Sequence, residues 1–249
     1  MKTEYSITGD SVIGGRYEQQ DEFIIFSHGY QQVLAVMDGH GHGGKQVAIG
    51  IRDRVFKSVN EIKKSTTLQS LRKLICDLSH DIIDDSGSTL SIVVAQSKTA
   101  LVGTIGDSPV LIKGRGGKLF VSEIHNARSN LAERVAAETR GERYVGGYMY
   151  SEGGEHGIQL TRAIGDTWAG FISYEPFMAS VPLDKDSWAL VCTDGLIDAT
   201  QPWQSLPLAL GWVIEQLDAG KEASELLVNR PAKSDNATAV VYHIKSEKE

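Results

Sequence analysis

The stretch VLAVMDGHGHGG, residues 33–44, runs five apolar residues into an aspartate and then sets down only glycines and histidines. A carboxylate and imidazoles beside bare backbone are groups that bind cations and move protons. The pattern recurs along the chain. VLAVMDG ends on Asp38, VGTIGDS on Asp107 and ALVCTDG on Asp194, while PAKSDNATAVVY puts Asp235 just ahead of an apolar run. TRAIGD adds Asp166 and GGRYEQQDEFIIF adds Asp21. Asp-Gly and Asp-Asn also make good turns, so any one site could be no more than a turn. Their recurrence says more, because strand ends of one sheet system can converge and carboxylates brought together repel.

A cation resolves that repulsion. All-oxygen donors without cysteine fit a hard ion, Mg²⁺ or Mn²⁺, rather than zinc. Two ions sharing an aspartate would hold a hydroxide between them and neutralise a phosphoryl group. They would also supply positive charge to a chain whose net charge is −7. Gly39, lacking a Cβ, lets the backbone turn sharply and its carbonyl reach a metal. His40 enters the same space with a reference pKa of about 6.5, suited to proton transfer. As a zinc tract, HGHGG lacks partner ligands at a zinc spacing. As a phosphate loop it lacks both the Gly-Lys-Ser/Thr ending and a G-x-G-x-x-G frame.

Elements must position these residues. Short β-branched runs read as strands: 23–26, 33–37, 89–95, 100–105, 109–113, 118–124, 188–193 and 237–244. The links QSKT and GRGG are too short for helical crossovers and favour hairpins. Val47, Ile51, Val55, Val59 and Ile62 form one helical stripe, and Leu68, Leu71, Ile75, Leu78 and Ile82 a second. Thr66 with Gln69 reads as the capping box of the second helix. A third helix is expected over 129–141, stopped by Gly141, and one or two more over 203–228, where Trp203 and Trp212 read as core. Helix pairs between runs of hairpin strands imply an α+β fold with antiparallel sheets. The aperiodic, glycine-rich segment 141–157 reads as a mobile surface loop.

With 249 residues, 41% hydrophobic and 23% charged, the chain is expected to form one globular domain over 1–249. Its acidity argues against nucleic-acid or membrane partners. MKTEYSITGD lacks the apolar core of a targeting segment, and Cys76 and Cys192 read as core residues in a reducing compartment. Both point to the cytoplasm.

In order along the chain, GGRYEQQD, AVMDGHGHGG, SGSTLSIVV, VGTIGDSPVLI, LTRAIGD, VCTDGLID and SDNATAVV resemble the metal-dependent protein phosphatases, the type 2C-like serine/threonine phosphatases. The resemblance spans about Arg16 to Val241. It implies a β-sandwich of two antiparallel sheets flanked by pairs of α-helices, a four-layer αββα arrangement with two Mn²⁺ or Mg²⁺ ions at one end. By position, Asp38 resembles the carboxylate bridging both ions, with the Gly39 carbonyl as a ligand. Asp194 and Asp235 resemble the remaining ligands of the first ion, and Asp21 the acid serving the second. Asp107, with Asp194, resembles a third, weaker metal site, with Asp198 as a secondary candidate. Arg16 resembles the arginine that grips the substrate phosphate, and His40 the general acid. Thr161, Arg162 and Asp166 in TRAIGD are expected to be mainly structural.

Three departures stand out. Gln20 precedes Asp21 where many relatives have Glu, DGHGHGG is longer than the commoner DGHGG and leaves His42 as a second candidate acid, and GDSP replaces GDSR. The resemblance implies attack of a metal-bridging hydroxide on phosphoserine or phosphothreonine of proteins, without a covalent intermediate. The enzyme would act as a monomer opposing a serine/threonine kinase. The alternatives are an inactive phosphatase-like binding module and a phosphatase of small phosphorylated metabolites.

Overall fold

The computed structural model describes residues 4–61, 65–151, 153–154, 156–198, 206–231 and 234–245. In chain order the first half comprises β1 (Glu4–Val12), β2 (Asp21–His28), β3 (Gln31–His40), α1 (Gly44–Glu61), α2 (Leu68–Asp81), β4 (Gly87–Ser88), β5 (Leu90–Ala95), β6 (Thr99–Ile105), β7 (Val110–Lys113) and β8 (Leu119–Val121). Then follow α3 (Leu131–Glu138), β9 (Arg143–Val145), β10 (Tyr148–Tyr150), β11 (Gly157–Ile158), β12 (Ile164–Gly165), β13 (Phe177–Pro182), β14 (Trp188–Cys192), α4 (Leu206–Asp218), α5 (Ala223–Asn229) and β15 (Ala237–Lys245).

One sheet has the order β1-β15-β14-β7-β8; the other runs β12-β4-β3-β5-β6-β13, with β2 on β3. All the strand pairings are antiparallel. The period of two sorts side chains into layers. From β3, Val33, Ala35 and Met37 face α1 and α2, meeting Ile51, Val55, Leu71 and Ile75. The alternate residues Leu34 and Val36 face the other sheet, meeting Val110, Ile112, Val191 and Val240. On that second sheet Leu111, Leu190 and Val241 point away, onto Val213, Leu217 and Leu226 of α4 and α5. Two sheets buried on both faces, with a helix pair on each outer side, give the four-layer αββα fold.

Several elements differ from expectation. β1 lacks an apolar run, but it pairs with β15 along its whole length, as an edge strand can through backbone alone. The capping box of α2 uses Thr67 and Ser70; Thr66 is buried one residue earlier, and its N–H and hydroxyl donate to Gln31 Oε1. The segment expected as an aperiodic loop over 141–157 forms the three-stranded sheet β11-β10-β9. Met149 is its buried anchor, packed with Phe171, Leu160 and Ile172. Trp212 packs against the α4–α5 core; Trp203 and Ile62 lie outside the described residues. Cys76 and Cys192 are free thiols; Cys192 lies in the core against α4 and α5 as expected, whereas Cys76 is only half-buried.

Candidate metal centre and active-site cleft

The ends of β3, β6 and β14, with the approaches to β2 and β15, meet at one edge of the sandwich around a cleft of about 750 Å³. Asp38, Gly39, Asp107, Asp194, Asp198 and Asp235 line it, together with Arg16, Gln20 and His40. Asp21 lies just beneath, paired in register with Asp38 across β2 and β3. His42 is exposed and is not among the lining residues, so the longer DGHGHGG points one histidine inward and one outward.

Each acid is held differently. Asp21 is buried, and its Oδ2 accepts hydrogen bonds of 2.8 Å from both Thr193 and Thr238 hydroxyls. Its Oδ1 is buried without a hydrogen-bond partner among the described residues. The Asp38 backbone N–H donates to Thr89 Oγ1 at 3.1 Å, fixing the end of β3. Asn126 Nδ2 donates to Asp107 Oδ2 at 2.7 Å. Arg16 spans Asp235 with both arms of its fork, at 2.7 and 2.6 Å. Gln20 Nε2 donates to the Gly41 carbonyl at 3.0 Å, which braces the turn after β3.

Close approach explains two of the glycines. A Cβ at Gly39 would lie 2.4 Å from the Gly44 carbonyl oxygen, and one at Gly195 only 1.8 Å from that of Asn236. Bare backbone at Gly39 lets the turn after Asp38 close against Gly44 and Gln20, and at Gly195 it lets the segments carrying Asp194 and Asp235 pack together.

The electrostatics show what the packing does to these acids. Burial pushes the Asp38 carboxyl well above the usual carboxylate range, and neighbouring Asp21, Asp194 and Asp107 push it further. Asp194 is raised in the same way by burial and then by Asp107, Asp235 and Asp198. Burial raises Asp107 too, and lifts Asp21 to about 6 against the opposing hydrogen bonds of Thr193 and Thr238. Such a set is uncomfortable with protein partners alone. Its donors are oxygens, one of them orphaned in the interior, which fits a hard divalent cation. As the chain stands, no three acidic, histidine or cysteine side chains among the described residues form a closed metal cage. Arg16 pairs with Asp235, and the threonines hold Asp21 Oδ2.

Sequence reasoning undervalued one acid. Asp166, expected to be mainly structural, lines the cleft, and its Oδ2 lies 2.7 Å from His40 Nε2. The signal was present, since TRAIGD also ends on an aspartate, but its histidine partner lies 126 residues away. Tyr17, Tyr148 and Trp168 also line the cleft, on turns and short strands with no chemical motif to mark them.

A doubly layered antiparallel sandwich with acids converging at one edge defines a class of fold able to hold hard divalent cations beside an open cleft. The family model described as protein phosphatase 2C matches residues 19–237, and the chain belongs to that family. It is 27% identical over 218 residues to protein phosphatase fem-2 of Caenorhabditis elegans, covering 77% of this chain and 47% of that protein. The fold superposes on serine-threonine phosphatase 2C from Toxoplasma gondii with a TM-score of 0.71 and 18% identity, covering 98% and 95% of the two chains. It also superposes on the catalytic domain of the serine threonine protein phosphatase PstP, a complex with 2 manganese ions, with a TM-score of 0.61 and 16% identity over 98% and 100%. The chain spans about half the length of the curated relatives it matches.

Proposed function

We propose that this chain is a metal-dependent phosphatase of phosphoserine and phosphothreonine in proteins. One observation carries the reading: Asp21, Asp38, Asp107 and Asp194, all with raised carboxyls, meet beside a cleft that also presents Arg16 and His40. The family and the manganese complex of PstP support it. Asp38, Asp194 and Asp235, with the Gly39 carbonyl and Asp21, would hold two Mn²⁺ or Mg²⁺ ions. Asp107, with Asp194 and Asp198, would hold a third, weaker one. Bound there, the ions supply an activated water for attack on phosphorus and offset the phosphate charge.

The protein's own groups do the rest. Arg16 already presents its planar fork to a carboxylate and offers the same two-pronged geometry to phosphate oxygens. Its charge also balances Asp235, Asp194 and Asp38. His40, partly exposed at the cleft wall, donates a proton to the departing serine or threonine oxygen as the P–O bond breaks. Gln20 serves by holding the Gly41 turn, with any cation contact there left to Asp21 and water.

We read the substrates as protein phospho-residues placed by an opposing serine/threonine kinase, the enzyme as a monomer and a single domain, and its compartment as the cytoplasm. The free cysteines support a reducing compartment, and no helix among the described residues is long and apolar enough to cross a membrane. One relative is described as mitochondrial. The decisive experiment is phosphate release from a phosphothreonine peptide. EDTA should abolish release and Mn²⁺ restore it, and Asp194→Asn should lose at least about 100-fold in kcat with its fold intact. Wild-type turnover by that variant would remove Asp194 from the site.

A further inference from the structure

His40 is the last residue of β3 and pairs with Gly87 of β4, which pairs on its other side with Gly165 of β12. This narrow three-strand extension places the chain after Gly165 against the imidazole. Asp166 follows, with a backbone φ of 51°, left-handed for a residue that has a side chain. Its N–H donates to the Ser86 carbonyl at 3.1 Å and its own carbonyl accepts from Ala169 N–H at 2.9 Å, so the strained turn is fixed at both ends. The carboxylate is 2% exposed, against 26% for the histidine, so it grips the ring from the protein side. Gly87 makes the meeting possible, since a Cβ there would lie 2.2 Å from Asp166 Oδ2 and 2.5 Å from His40 Nε2.

A buried acceptor on one ring nitrogen fixes both tautomer and ring orientation, as the third member of a nucleophile–base–carboxylate set does. Among the described residues no hydrogen bond engages His40 Nδ1. Asp107 is near enough to feel the ring's charge, but its own bond goes to Asn126.

We propose that Asp166 is a positioning residue for proton donation: its carboxylate accepts from His40 Nε2–H and leaves Nδ1–H to face the departing oxygen. This rests on the phosphatase reading. As the P–O bond breaks, the bonding pair stays on the serine or threonine oxygen, which takes the Nδ1 proton. The ring is left neutral, with its Nε2–H still on Asp166.

The test is Asp166→Gly, because glycine keeps the left-handed backbone while removing the carboxylate. On a phosphothreonine peptide, whose alkoxide needs a proton, kcat should fall by about 10- to 100-fold with KM nearly unchanged. On p-nitrophenyl phosphate, whose leaving group needs none, the fall should stay under about 3-fold. The double variant with His40→Ala should be no slower than His40→Ala alone. In the magnesium-loaded protein, ¹⁵N spectra of His40 should show the Nε2–H tautomer in wild type and a mixture in Asp166→Gly. Equal losses on both substrates, additive losses in the double variant, or an unchanged tautomer would each overturn the assignment. A wild-type chain that releases no phosphate with either metal overturns the phosphatase reading itself, a failure distinguishable because the spectra still report the His40–Asp166 contact.

Discussion

At the residue scale, the same substitution should have opposite effects at two glycines. Gly195 stands between the acids of the cleft, and an added methyl would run into the Asn236 carbonyl and the Ala237 side chain. Backbone cannot swing away as a lysine tip can, so the strand ends carrying Asp194 and Asp235 must part. Overpacking of this kind costs about 1–3 kcal/mol, occasionally more. Gly50 lies inside α1, and nothing approaches its Cβ position within 4 Å. There alanine removes the glycine penalty of a helix interior, about 0.5–1 kcal/mol. Urea midpoints should therefore fall for Gly195→Ala and rise for Gly50→Ala. A Gly195→Ala protein as stable as wild type would mean the two acidic segments are not pressed together as described.

At the element scale, the small β11-β10-β9 sheet contributes Tyr148 and Ile158 to one wall of the cleft but has little core of its own. Met149 anchors it on Leu160, Phe171 and Ile172, and next to Leu160 in the chain a polar knot ties Thr161 and Arg162 to α3. Glu133 of α3 accepts from the Thr161 hydroxyl at 2.6 Å and from Arg162 Nε and Nη2 at 3.0 and 2.5 Å. Burial alone would raise the Glu133 carboxyl, but Arg162 and Thr161 outweigh it and hold the group below its usual range. Removing one partner of a buried ion pair leaves the other charge uncompensated, at about 3–5 kcal/mol. Glu133→Ala should thus lose hydrogen-exchange protection across 143–158 while β3 and β5 stay protected. Uniform loss throughout the chain would show instead that the small sheet unfolds only with the whole. This sheet is also where the sequence was least legible. β3, β5 and β14 carry continuous apolar runs because both their faces are covered, and such runs can be read directly. The residues of β9 to β11 pack on one side only, over three residues or fewer, too short for any period to show. The acids at the ends of long strands were legible for the same reason. Asp166 was not, because β12 is two residues long and owes its place to β4.

At the scale of the whole molecule, the fold holds together a set of acids that its own packing disfavours. Asp21 shows the sign of the effect. Its carboxyl titrates near 3.8 in an unfolded chain and near 6 in the folded one, so between those values the native state holds more protons. Stability of the metal-free protein should therefore fall as pH rises from about 4 to 6 and level off above, with Asp21 alone contributing on the order of 3 kcal/mol. Asp38, Asp107 and Asp194 shift the same way and extend the fall upward. A divalent cation that binds only the folded, ionised set reverses it, by about 2.7 kcal/mol at a hundred times its dissociation constant. Thermal melts should show Mn²⁺ raising Tm clearly at pH 7 and hardly at all near pH 4.5, where protons compete for the same oxygens. The metal-free melt of Asp194→Asn should depend less steeply on pH, because one member of the mutually repelling group is gone. If Tm at pH 7 ignores both Mn²⁺ and Mg²⁺ while the acids still destabilise the metal-free fold, the assignment of Asp38 and Asp194 as divalent-metal ligands falls.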